Sequence, residues 1–330
     1  MSTRKRIVLP GSPRLEGVVA RDGTRFEDFR RSLEPRYGWV WVDVALRYSL
    51  MFAGLAGACA VGTGWSIMAL ATAPLFAVWI GYWFASVVLF MHEGAHYNLH
   101  RDKSINDKLA NAFICPLLGD EVAGYRALHW QHHLHLGEPG DSEVSYYYPP
   151  TLRFGIETLI GVHAIRVFLN HQGGVGQENP KGTRHHRLFS LARGLAVHGT
   201  VLALMVLGGW YGGALAWLLA VGFVFPFFSA LRQQLEHRSV EARSELDYQQ
   251  VPHGPVNRMF APTPFARSFG SAGFRQHLLH HWCPTVSYTN FDELEAFFLQ
   301  TEFGPQVEEA RAGYMEIWKA LARPRRAEAA

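Results

Sequence analysis

The chain has 330 residues, of which 48% are hydrophobic and 18% charged, with a formal net charge of +3. That composition excludes a disordered polymer, which needs few apolar residues and high net charge. Three cysteines (Cys59, Cys115 and Cys283) with no C-x-x-C pair exclude a disulfide scaffold, a zinc ribbon and a thiolate-held iron–sulfur cluster. The mild positive balance provides no basic stripe for nucleic acid.

Residues 1–47 carry Arg4, Lys5, Arg6, Arg14, Arg21, Arg25, Arg30, Arg31, Arg36 and Arg47. Arg4-Lys5-Arg6 runs into Ile7-Val8-Leu9-Pro10, too short an apolar stretch for a secretory signal. From Arg47 to His92 there is no Asp, Glu, Lys or Arg. Such a gap holds two bilayer crossings at about 20 apolar residues each. It predicts helices over about 44–62 and 66–91, joined at Gly62-Thr63-Gly64-Trp65. In the polar block 92–190, segments 108–119 and 152–170 have helical apolar spacing broken by polar residues, which predicts helices lying along a membrane surface.

A second charge-free gap runs from Arg193 to Arg232 and predicts helices over about 191–208 and 214–231. Gly208-Gly209-Trp210-Tyr211-Gly212-Gly213 between them reads as a turn rather than a G-x-x-x-G dimer face. Trp65, Trp210 and Tyr211 stand where an aromatic belt would anchor the far interface. Buried hairpins of a soluble protein would instead show a polar outer face. The chain therefore reads as one all-α integral membrane domain over 1–330. Its parts are an N-terminal segment 1–43, transmembrane hairpins 44–91 and 191–231, and polar blocks 92–190 and 232–330. The arginine-rich start and uncharged turns put both termini and the 92–193 segment on the cytoplasmic side.

Histidine is the anomaly, with 17 copies in clusters. His92-Glu93-Gly94-Ala95-His96 leaves the second predicted crossing, with His100 a turn later. His129-Trp130-Gln131-His132-His133 follows, His237 comes shortly after the fourth crossing, and His277-Leu278-Leu279-His280-His281 repeats the H-x-x-H-H spacing. On a helix, positions i, i+3 and i+4 share a face, so each cluster aims its imidazoles one way. The charge gaps independently put all four groups on one side of the membrane. His163, His171, His185, His186, His198 and His253 keep the default reading of surface or satisfied core residues.

Clusters at this spacing read as metal ligands. A catalytic zinc takes three protein ligands and a structural zinc four, so nine imidazoles suit two metals. Imidazole fits zinc, copper, iron or nickel. A carboxylate-bridged bundle would need Glu-x-x-His from two helices, and only Glu93–His96 supplies it here. His92-Glu93-Gly94-Ala95-His96 also satisfies the H-E-x-x-H zinc-protease motif. The metzincin extension fails at Leu99 and Asp102, and a protease gives no reason for two H-x-x-H-H clusters.

The order H-x-x-x-H, H-x-x-H-H, a lone His after the last hairpin, then H-x-x-H-H resembles the membrane fatty-acid desaturase superfamily of histidine-box di-iron enzymes. The likeness covers roughly residues 45–300, and His281-Trp282-Cys283-Pro284-Thr285-Val286 is similar to the family's His-His-aliphatic-x-Pro continuation. The resemblance implies four transmembrane helices with a cytosolic helical cap holding two Fe ions. It implies His92, His96, His129, His132, His133, His237, His277, His280 and His281 as ligands. His100 is an additional candidate, and Gln233 stands where some members place an Asn that contacts iron through water. Glu93, Glu236, Asp120, Glu121, Asp141 and Glu143 are candidates to orient ligand rings, against a default of ordinary surface charge.

The implied activity is O2-dependent desaturation of a fatty-acyl or lipid chain, with O2 as co-substrate. Hydroxylation, ketolation or decarboxylation on the same scaffold is the alternative. Neither cysteine pairs nor a Gly-rich nucleotide fingerprint is present, so a separate electron-transfer protein of ferredoxin, rubredoxin or cytochrome type, with its reductase, is implied. Arg184, Arg187 and Arg193 are candidate contacts for it, with solvated membrane-adjacent charge as the default.

Overall fold

The computed structural model describes residues 8–173 and 183–323. Arg4, Lys5 and Arg6, and the side chains of His171, Arg184, His185 and His186, lie outside the described residues. The described chain is mostly helical, with one short parallel pair of strands, Met259–Phe260 beside Arg311–Ala312. It forms two compact units. The apolar unit is built from Tyr37–Ala127 and the described part of Pro150–Arg232. The polar unit is built from Leu128–Pro149 and the described parts of Met1–Arg36 and Gln233–Ala330.

Among the described residues, four helices are long and apolar enough to cross a membrane: Tyr37–Ala60, Ile67–Ala95, Arg187–Leu207 and Tyr211–His237. Their outward residues are apolar as well. Ile67 and Leu207 are each 85% exposed, Leu195 75% and Leu75 72%. Water would penalise so much apolar surface, whereas hydrocarbon does not. This is a membrane protein.

Inside the apolar unit, Met51, Leu55, Ile80, Phe84, Trp217 and Ala220 form the core. Close helix approach depends on missing side chains. A Cβ on Gly81 would fall 2.6 Å from Val224 Cγ1, and one on Gly212 would fall 2.8 Å from the Ala69 carbonyl oxygen. Gly212 is thus used within the chain, in the first turn of the helix that begins at Tyr211, and the expected turn over Gly208–Gly213 is confined to Gly208–Trp210. The two charge-free turns meet, since Gly64 N–H donates to Gly209 O at 2.7 Å and the Trp65 and Tyr211 rings lie 4.7 Å apart.

Helix limits depart from the sequence expectation where a local partner changes the balance. The first helix starts at Tyr37 rather than near 44, because Arg47 is neutralised one turn away by Asp43 (3.0 Å) and held by Ser86 Oγ (2.9 Å). A paired charge no longer has to end an apolar helix. The second begins where Ser66 caps Ala69 N–H and continues to Ala95, so His92 stands on it. The fourth runs to His237 rather than 231, with a π-helical turn at Ala220–Val224. Pro226 has no N–H to offer the Gly222 carbonyl, and a π turn is a common way to absorb such a gap. The segments expected along the surface are also broken. Lys103–Phe113 gives way to a 3-10 turn at Cys115–Leu117 containing Pro116, and Gly161 at φ +77° separates Leu152–Leu159 from Val162–Gly173.

The polar unit has its own core, in which Phe26, Phe291, Leu294, Phe297 and Phe298 pack with Leu278, Leu279 and Trp282. The helix His277–Trp282 therefore gives its Leu-Leu-Trp face to that core. Helical periodicity puts His277, His280 and His281 together on the other face.

Candidate metal centre

All nine ligand candidates are buried. Four of them, His132, His237, His277 and His281, bring one ring nitrogen each within 4.8 Å of one another. They arrive from the helix Val122–His135, the end of the fourth apolar helix and the helix His277–Trp282. Nε2 of His277 lies 2.9 Å from Nε2 of His237 and 3.3 Å from Nε2 of His281.

The outward nitrogens are already committed. His237 Nδ1–H donates to Val256 O at 2.8 Å, and His132 Nδ1 lies 2.9 and 3.0 Å from the two oxygens of Asp141. Each bond fixes the tautomer and turns an Nε2 lone pair inward, the form a metal requires. His132 Nε2 is fully buried without a hydrogen-bond partner. Ring nitrogens gathered at these separations are bridged by a cation, either a shared proton or a metal ion. The donor set therefore fits a divalent transition metal.

Beside it, His133 Nε2 lies 3.0 Å from His129 Nε2 and 2.9 Å from His280 Nε2. The rings of His133 and His281 are 4.6 Å apart, so the two nitrogen clusters adjoin within the polar unit. In the apolar unit, His92 and His96 close the second helix with ring centroids 4.8 Å apart.

Carboxylates left to the surface by default serve the rings instead. Asp141 is buried, and its Oδ2 also accepts from Tyr146 O–H at 2.5 Å, while Tyr146 Oη accepts from Gly137 N–H. Glu143 Oε1 lies 3.3 Å from His129 Nδ1, and its Oε2 accepts from Gln233 Nε2 at 3.0 Å. Gln233 Oε1 in turn accepts from Ser145 N–H. Gln233 thus acts on His129 through Glu143. Burial alone would pull His132 down, but Asp141 and Glu143 outweigh it and push its pKa up to about 9. Burial pulls His129 below its ordinary value despite Glu143. Burial would raise Glu143, yet the neighbouring His132 and His129 hold it well below the usual carboxylate range.

The remaining candidates divide. Glu93 is buried with Oε1 3.6 Å from His92 Nδ1, and Glu236 is buried where its charge favours protonated His132. Asp120 and Glu121 do other work, accepting from Glu121 N–H and Ser190 Oγ respectively. His100 Nδ1 accepts from Asp102 N–H, closing a turn, and His100 belongs to neither nitrogen cluster among the described residues. Arg193 is occupied by the Asn111 and Asp120 carbonyls. His198 donates to Leu117 O and accepts from Trp217 Nε1–H, and His253 donates to Gly254 O, so both are satisfied structural residues. Tyr146, Val256 and the arginines described below carried no motif. Only the polar run Asp141-Ser142-Glu143, close after a histidine cluster, hinted at support there.

The match with known proteins agrees with this chemistry. The fatty acid desaturase family model matches residues 69–316 of the chain. The chain belongs to the fatty acid desaturase family, and family membership implies an oxidoreductase, displacing the H-E-x-x-H protease reading. No curated protein matches the chain.

Proposed function

We propose that this protein is an O2-dependent di-iron lipid desaturase that introduces a C=C bond into an acyl chain. His132, His237, His277 and His281 would hold one iron. His129, His133 and His280 would help hold the other, while His92 and His96 are ligand candidates at the end of the second apolar helix. The observation that carries the reading is the convergence of four buried ring nitrogens, with the Nδ1 atoms of His132 and His237 held from behind by the Asp141 carboxylate and the Val256 carbonyl as acceptors. Family membership supports iron among the metals that imidazole suits.

Bound iron would supply dioxygen activation and the removal of hydrogen from an unactivated C–H bond. The chain's own residues do the rest. Asp141 and Val256 O orient His132 and His237, Glu143 orients His129, and Tyr146 and Gln233 hold those carboxylates in place. Every ligand candidate is at most 5% exposed, so water is kept from the reacting volume. No side chain need act as a nucleophile.

In this reading the four apolar helices form two transmembrane hairpins. The termini and histidine groups lie on the cytoplasmic side, in a cap beneath the leaflet that presents the acyl chain. A separate electron-transfer protein with its reductase supplies the reducing equivalents.

Metal analysis and product analysis test the proposal together. About two irons per chain, and an unsaturated lipid free of label after turnover under 18O2, are the expected results. A labelled hydroxyl or keto product would assign oxygenation instead. Purified protein holding zinc alone would overturn the oxidative reading.

A further inference from the structure

His237 and His277 are 40 residues apart in sequence, yet their Nε2 atoms lie 2.9 Å apart. One short segment, residues 256–258, is bonded to the helices that carry both. Val256 O accepts from His237 Nδ1–H. Arg258 O accepts from Leu278 N–H at 3.1 Å, in the first turn of the helix His277–Trp282. The Arg258 guanidinium donates to Leu235 O at 2.9 Å and to Arg238 O at 2.6 Å, at the end of the helix carrying His237. Arg258 thus grips one histidine helix with its main chain and the other with its side chain.

The chemistry of the contact is specific. Arg258 is 7% exposed, and among the described residues its guanidinium is paired with carbonyls rather than a carboxylate. The negative end of a helix is where a buried cation is favoured. A planar fork can span two carbonyls at once, and an ammonium cannot do so in a fixed geometry. Anchoring of the segment falls to its neighbour Met259, which is buried in the core and paired with Arg311.

A related contact, with a carboxylate added, occurs in the apolar unit. Arg126 Nε donates to Ala95 O at 2.8 Å and its Nη2 to Gly94 O at 3.1 Å, at the end of the helix carrying His92, while the same guanidinium pairs with Asp107. Two histidine-bearing helix ends are thus each clamped by an arginine fork.

We infer that Arg258 is a positioning residue for the metal group formed by His132, His237, His277 and His281. Its fork fixes the rotation and separation of His237 relative to His277. The inference rests on the proposed reading that this group holds a metal.

Cobalt(II) titration of the full-length metal-free protein tests it, comparing wild type with Arg258→Lys and Arg258→Gln. Arg243→Lys, which loosens an exposed ion pair with Glu245, is the control. Wild type and Arg243→Lys should take up about two cobalt ions per chain. Arg258→Lys should fold with a similar melting temperature, bind its second cobalt at least about tenfold more weakly and show altered visible absorption for that ion. Arg258→Gln should show the larger loss.

Unchanged second-ion affinity and spectrum in Arg258→Lys would overturn the inference, as would an equal loss in Arg243→Lys. Failure of both Arg258 variants to fold would also overturn it, assigning the residue a purely structural role. Wild type that fails to bind two cobalt ions would defeat the functional reading itself, a result distinct from either.

Discussion

Asp141 meets His132 with both carboxylate oxygens, 2.9 and 3.0 Å from a single ring nitrogen. Without metal this pairing keeps His132 protonated up to about pH 9. Metal loading must expel that proton, so apparent affinity should rise about tenfold per pH unit below that value and level off above it. Asp141→Asn removes the carboxylate charge, and the levelling point should move down towards the ordinary histidine range. Chelator competition between pH 6 and 9 measures both curves. Superimposable profiles would contradict the assignment.

Single histidine variants should separate the two nitrogen clusters. His277→Ala and His280→Ala belong to different clusters, so each should lower bound iron from about two to about one per chain and abolish turnover. His198→Ala breaks only the Leu117 and Trp217 bonds and should keep full iron content. Elemental analysis of purified variants decides between these outcomes.

Gln233→Leu should weaken metal binding at the His129 cluster without touching a ligand. It strips a donor from Glu143, and loss of such outer support typically costs about 10–100-fold in metal affinity. Because Gln233 also bonds Ser145 N–H, thermal melts should accompany the titration. A variant with wild-type affinity would show that Glu143 holds its place unaided.

Gly81→Val should destabilise the apolar unit and leave the histidine chemistry intact. The added Cβ would meet Val224 and the Ala220 carbonyl, and overpacking of this kind costs about 1–3 kcal/mol. Detergent-solubilised protein should melt at a lower temperature while retaining its metal.

Much of this was legible before any coordinates, for two physical reasons. A bilayer forbids unpaired charge, so the runs from Arg47 to His92 and from Arg193 to Arg232 announced their helices. Metal ligation needs several imidazoles on one helix face, and the H-x-x-H-H spacing records that need directly. What was hidden depends on pairs brought together only by folding. Arg47 gave no sign that Asp43 and Ser86 would neutralise it and let the first helix start early. Asp141 and Glu143 stood among six carboxylate candidates, and only folding separates them from Asp120 and Glu121 by carrying them against His132 and His129. Arg258 has no motif at all, because its partners are backbone carbonyls, and backbone carries no sequence signature.

The order in which the polar unit's donors leave the ribosome matters for biogenesis. His132 is made before the third and fourth apolar helices, and its cluster partners His277 and His281 are made after them. The nest therefore cannot close until both later helices and the helix His277–Trp282 have been made, and a chain cut short after the fourth apolar helix would hold His132 and His237 without their two partners.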